Sequence, residues 1–252
     1  MRWSVEVQKS GLDPRNLGDL LNGIGYVLVK GETLNEITSP TFDACLSCDE
    51  VWTEAKRLRD VFTGPAQIDL DFTLGSVVDY STSPPSRSGF IEAASCQIAI
   101  MGGVATIEVA PPTNLTDEQL EKWHADRLEE KYQAKLEAQR SRLEPAFLSV
   151  RASKVLELLD VDNPTGEIVY KIYELAEGHP NNRRNFQVTF GITQDQFSRF
   201  KDVVHNPTVS GDWARHGYED VPKTSNPMTK EEAIDFVRVL AKQWLSVIRG
   251  RP

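Results

Sequence analysis

A chain of 252 residues with 40% hydrophobic and 26% charged residues has the composition of an ordinary soluble globular protein of about two modest domains, which excludes a chain disordered throughout. Its net charge of −9 is uneven: residues 1–150 carry 14 Lys and Arg against 23 Asp and Glu, whereas 151–252 carry 14 of each. That balance does not favour nucleic acid as a partner, since non-specific binding needs a basic stripe and Arg183, Arg184, Arg199 and Lys201 offer only a local patch. No stretch approaches the roughly 18 apolar residues of a membrane span. The start, MRWSVEVQKSG, lacks the apolar run of a signal peptide, so a cytoplasmic location with no membrane partner is the expectation.

Residues 3–8 alternate as a half-buried strand does. Asp13 then caps a helix that opens on Pro14, carries Leu17, Leu20 and Leu21 at helical spacing, and stops at Gly23 and Gly25. A second strand is expected at 26–31, a loop over 32–44, and a helix from Asp49 to Phe62 with Val51, Trp52, Ala55, Leu58 and Phe62 as its stripe. From Ala66 to Ala110 the pattern is strand-rich: QIDLDF (67–72) and SVVDYS (76–81) alternate, and two β-prone runs flank Gly102-Gly103 as in a hairpin. Thr116 and Gln119 form a capping box for a long helix ending near Arg142, before Pro145. Ala125, Leu128, Tyr132, Leu136 and Leu143 give that helix a thin apolar seam. Beyond it only helices are expected: 150–160, 166–177, 193–204, and a last one capped by Thr229 with Ala233, Phe236, Val237, Leu240, Trp244 and Ile248 inward.

The fold class expected is therefore α+β. Residues 1–112 form a mostly antiparallel sheet with about two helices, 113–145 a connector helix, and 146–252 an all-α bundle with an ordered loop at 205–228. That loop, HNPTVSGDWARHGYEDVPKTSNPM, is too rich in Pro and Gly for a long helix or a central strand. Loops on a rigid scaffold are where functional side chains concentrate.

Candidate chemistry is sparse. Asp212, Arg215 and His216 lie within five residues and have the side chains for acid–base work or for gripping a phosphate; the alternative is that they satisfy the loop's own backbone, with Trp213 as its anchor. Arg199 and His205 form an Arg-x5-His pair on a helix. This pair is similar to the Arg-x4–6-His of HEPN-type helical ribonucleases, and the resemblance implies metal-independent RNA cleavage, usually by a dimer. It departs from that pattern at Phe200, where a polar residue is usual. Six residues at about 100° also separate the two side chains by roughly 120° on the wheel, so they converge only if the helix ends by Val204. Cys45 and Cys48 form a CxxC before a helix, where a thiol is activated. The preceding strand-helix-strand order resembles a thioredoxin-like start, but the hairpin-like strands that follow do not. The third cysteine, Cys96, falls in a strand, and the odd count in a chain with no secretory signal argues against a disulfide framework. Asp69 and Asp71 are expected on one strand face, with Asp79 nearby. His124 on the connector and His179 in a turn are expected to be solvated.

No phosphate loop, GxSxG, HExxH or kinase signature occurs. The leading expectation is an interaction or assembly protein that uses no cofactor and no metal and associates with itself or a partner through the connector helix. The alternatives are a metal-independent helical ribonuclease, as an effector in stress or phage defence, and a thiol-dependent protein.

Overall fold

The structure, a computed structural model, describes residues 1–90, 116–217 and 222–250. It is α+β, with a five-stranded sheet near the N-terminus followed by helices. The chain divides into two compact units. One comprises Met1–Gln8, Asp13–Thr53 and Thr73–Gln139, and the other Lys9–Leu12, Glu54–Phe72 and Arg140–Pro252.

In the first unit the strands are β1 (Trp3–Lys9), β2 (Val27–Lys30), β3 (Asn35–Thr38), β4 (Thr73–Asp79) and β5 (Ser86–Ser88), in spatial order β2-β3-β1-β4-β5. The β1–β3, β2–β3 and β4–β5 pairs are antiparallel. Helix α1 (Pro14–Gly23) starts as its sequence dictates: the Asp13 carboxylate accepts the Asn16 N–H at 2.9 Å and Pro14 opens the first turn. The segment 32–44 is more structured than the expected loop. It holds β3 and a single turn, α2 (Pro40–Asp43), capped by Ser39. Four-residue elements leave no periodicity to detect. Trp3, Val5, Val7, Leu17, Leu20, Leu21, Ile37 and Phe42 are buried, and Tyr26 meets Phe42 edge-on at 5.4 Å.

β1 is not half-buried as its alternation suggests, because Ser4 and Glu6 are buried as well. Glu6 lies directly opposite Glu36 of β3. Glu36 accepts from the Ser4 hydroxyl at 2.5 Å and the Tyr80 hydroxyl at 2.8 Å, while Glu6 accepts from Arg87 at 3.2 Å and the Ser76 N–H at 3.2 Å. These partners permit two carboxylates to sit inside a sheet, where an unpaired charge is costly.

Helix α3 (Cys48–Thr63) carries its stripe as expected. The strand expected over 67–72 is a run of turns instead. Gln67 has φ +49°, which ends an extended run. The Asp69 carboxylate, buried, takes the Gly11 and Asp71 N–H groups and the Ser10 hydroxyl. Asp71 is exposed and pairs with Lys9 at 3.2 Å. The two aspartates therefore do not share a strand face. The hairpin expected around Gly102-Gly103, and Cys96 with it, lies outside the described residues.

Helix α4 (Asp117–Leu148) opens with the expected capping box: Gln119 N–H to Thr116 Oγ1 at 3.3 Å, and Thr116 N–H to Gln119 Oε1 at 3.0 Å. It does not stop at Arg142 but runs through Pro145, whose missing N–H is offset by burial of Leu143, Pro145 and Ala146. Of the seam, Ala125 and Leu128 are exposed, Tyr132 donates to Asp19, Leu136 is buried within the first unit and Leu143 is buried in the second. Arg15 of α1 lies 4.0 Å over the Tyr132 ring and grips Glu129 with one nitrogen at 2.7 and 2.9 Å.

The second unit is helical after Ser149, which caps α5 (Val150–Leu159). There follow α6 (Gly166–Glu177), α7 (Arg183–Thr189), α8 (Gln194–His205), the single turn α9 (Pro207–Ser210) and α10 (Lys230–Arg249). α6 packs against α5, α8 and α10. Its Tyr170 and Tyr173 join Phe186, Phe197 and Phe200 in a chain of ring contacts. Capping boxes start α8 (Thr193, Gln196) and α10 (Thr229, Glu232). Arg142 ties this unit together: it donates to the carbonyls of Pro65 and Ala66, both at 3.0 Å, and to Asp160.

Candidate functional site

The segment after α8 is folded back on the bundle by three hydrogen bonds. Asn206 precedes a proline and takes the extended conformation that proline imposes, so α8 ends at His205. Ser210, buried, donates to the Val203 carbonyl at 2.7 Å. Gly211, at φ +61°, leads into a 3₁₀ turn, Gly211–Trp213. The Trp213 indole N–H then donates to the Pro164 carbonyl at 2.8 Å, beside the first residue of α6. Gly166 is required there, because a Cβ would lie 2.6 Å from the Trp213 carbonyl oxygen and 3.1 Å from its ring. The Arg215 N–H finally bonds the Val204 carbonyl at 2.7 Å, which lays Arg215 and His216 alongside the end of α8.

The consequence is a cluster built from halves of the two candidate groups. The rings of His205 and His216 stack at 4.8 Å with 14° between planes, and His205 meets Tyr170 edge-on at 4.2 Å. The Arg215 guanidinium lies 4.8 Å over Tyr170 and 3.6 Å from Glu174, residues one turn apart on α6. The other halves go elsewhere. Asp212 is exposed, and among the described residues no contact joins it to Arg215 or His216. Arg199 donates to the Asn226 carbonyl at 2.7 Å and receives the Met228 N–H on its own carbonyl. Because α8 continues through His205, Arg199 and His205 stay on different faces of it. Buried Asp202 fixes the far limb by accepting the Thr224 N–H and hydroxyl at 2.7 and 2.8 Å.

The two histidines are half-buried, and Lys201 and Arg215 act on His205 as neighbouring cations. Burial, then His216, Lys201 and Arg215, hold the His205 imidazole down at a pKa of about 4, so it is neutral at pH 7. Its Nδ1 is buried with no hydrogen-bond partner. Burial, then Lys223 and Arg183, also pull the Lys201 ammonium below its usual range. Burial raises both Tyr170 and Tyr173. Glu177 is taken up by Arg183 at 2.6 and 3.1 Å. Tyr170 and Glu174 had no motif to mark them, and Lys201 entered only as part of a local basic patch; helical spacing, which pairs 170 with 174 and 201 with 205, is the signal that links them.

The remaining candidates stand apart from this cluster. Cys45 and Cys48 are half-buried and not disulfide-bonded. Cys48 opens α3, whose first turn is acidic at Asp49 and Glu50, and Glu50 accepts the Leu46 N–H at 2.7 Å. His124 is exposed on α4 beside Trp123, and His179 accepts the Asn181 N–H at 3.2 Å as the cap of a 3₁₀ turn. No three His, Cys, Asp or Glu side chains converge as a metal site among the described residues. None of the described helices is long and apolar enough to cross a membrane. Compared with known proteins, the chain matches no family model, no curated protein and no solved structure.

Proposed function

We propose that this chain is an interaction protein that self-associates through the first turns of α4. The observation that carries the reading is the state of the seam. Tyr132 and Leu136 are engaged within their own unit, whereas Leu128 on the same stripe is 68% exposed. Between Glu121 and Lys131 only Trp123 is even half-buried. Both charge signs flank the stripe, so a second copy laid against it pairs Arg and Lys with Glu and Asp at its rim while the apolar side chains meet at its centre. Light scattering across a concentration series tests this. A dimer that Leu128→Glu converts to a monomer is expected, and a strict monomer at high concentration overturns the reading.

One observation favours a second reading, metal-independent cleavage of RNA. Two imidazoles and a guanidinium converge at His205, His216 and Arg215, side chains suited to proton transfer and to a phosphate's charge. Incubating the protein with RNA, with and without EDTA, separates the two. Cleavage that survives EDTA and is lost in His216→Ala supports the ribonuclease; intact RNA leaves the interaction protein.

A further inference from the structure

We propose that a second copy docks antiparallel on α4, with Asp117 and Glu121 of each chain facing Lys135 and Lys131 of the other. The inference rests on self-association through α4, and adds the direction of the second copy, its register and the residues that select it.

At about 100° per residue, Asp117, Glu121, His124, Leu128, Lys131 and Lys135 share one sector of about 80° on this helix. All six are exposed, and all lie in the first unit. The sector runs beside the α1 contact. Tyr132, which donates to Asp19, stands just past one edge, and Glu129, held by Arg15, lies about 60° further round. Along the sector the two acids stand toward the N-terminus and the two lysines toward the C-terminus, with Leu128 and His124 between them. The side chains of these four charged residues form no ion pair or hydrogen bond among the described residues, whereas Arg127 and Glu130, outside the sector, pair with each other at 2.8 Å. Residues 91–115, which precede α4, contain no Lys, Arg or His to neutralise the acidic end.

The spacing of these residues has a centre. Asp117 and Lys135 are equidistant from Asp126 along the chain, and so are Glu121 and Lys131, and His124 and Leu128. Asp126 itself points to the opposite side of the helix from the sector. A copy related by a twofold axis beside that position sets Asp117 against Lys135 and Glu121 against Lys131, each pair formed twice. Leu128 of each chain then lies on His124 of the other. A parallel copy in register instead puts acid on acid and lysine on lysine. A parallel copy slid until the signs match leaves an unused end on each chain, and so builds an open filament rather than a closed pair. Exposed ion pairs of this kind add little energy. They set direction and register, as the flanking charges of a coiled coil do, while Leu128 supplies the apolar contact.

The test compares the full-length chain with a variant whose two ends are exchanged: Asp117→Lys, Glu121→Lys, Lys131→Glu and Lys135→Glu together. Energy transfer between two dye-labelled pools gives the dissociation constant of each protein alone and of the mixture. An antiparallel pair predicts self-sorting. The exchanged variant is expected to self-associate within about threefold of the native chain, and the mixed pair to be weaker by roughly tenfold or more. High salt is expected to narrow that gap. A mixed pair tighter than either chain alone would show a parallel copy, and affinities indifferent to the exchange would show that these charges select nothing. Either result overturns this inference and leaves self-association standing. A native chain that stays monomeric at high concentration overturns both. Carbodiimide coupling of isotopically light and heavy native chains gives a second answer that needs no variant. Links from Glu121 of one chain to Lys131 of the other are expected, and a coupled dimer without them counts against the antiparallel register.

Discussion

His205 shows how position overrides residue type. An ordinary histidine titrates near 6.5; this one is held at about 4 because its charged form would be desolvated and repelled by His216, Lys201 and Arg215. The sign follows directly. As pH falls below about 6.5 the unfolded chain takes up a proton that the folded chain refuses until about 4, so stability is full above 6.5 and declines across that window. Urea midpoints measured from pH 7 to 4 are expected to fall more steeply in the native protein than in His205→Gln; parallel curves would contradict the assignment. The cysteines make the opposite case. Half-buried and not disulfide-bonded, they contribute little that serine cannot replace. The Cys45→Ser, Cys48→Ser double variant is expected to melt within a few degrees of the native protein, in line with a cost of about 1 kcal/mol. Collapse of that variant, or stoichiometric zinc in the native protein, would show that the pair has a structural task.

Among the elements, α6 depends on a residue that helix propensity would reject. Alanine favours a helix by about 1 kcal/mol over glycine, yet Gly166→Ala is expected to destabilise the second unit by about 1–3 kcal/mol, because the new methyl meets the Trp213 backbone at 2.6 Å. A urea midpoint that rises instead would mean the 211–213 turn yields freely. Elements with a cap or a periodic stripe were legible in the sequence: α1 from Asp13-Pro14, α3 from its stripe, the start of α4 from Thr116 and α10 from Thr229. The failures have physical causes. β3 and α2 are too short to show a period. QIDLDF alternates in type, but Asp69 turns inward to collect backbone N–H groups while Leu70 is 45% exposed, the reverse of what alternation implies. Glu6 falls at a polar position of an alternating strand and Glu36 in an expected loop, yet both are buried, since their partners come from elsewhere in the sheet unit. Half of the candidate cluster was legible as residue types, but its assembly was not. A backbone bond from Arg215 to Val204 decides it, and no side-chain pattern encodes that bond.

For the molecule as a whole, the two units are not consecutive stretches of chain. The helical unit includes residues 54–72, and its α4 end supplies Arg142 to the Pro65 and Ala66 carbonyls and to Asp160, and Glu144 to Arg249. A fragment beginning at residue 146 retains α5 to α10 but loses these bonds together with Leu58, Phe62 and Leu143, all buried in the intact chain. Such a fragment is expected to be helical by circular dichroism yet to unfold over a broad range at lower denaturant, as a weakly packed core does. A sharp transition at the native midpoint would show that 146–252 is self-sufficient.

The hydrogen bond from the Arg215 amide to Val204 also has a consequence in time. Amides in surface segments ordinarily exchange with solvent through small local openings. This one cannot open without lifting the Trp213 indole from Pro164 and drawing Ser210 off Val203. In deuterated buffer the Arg215 amide is therefore expected to exchange as slowly as the buried amides of α8, at a rate set by unfolding of the bundle rather than by fraying of a loop.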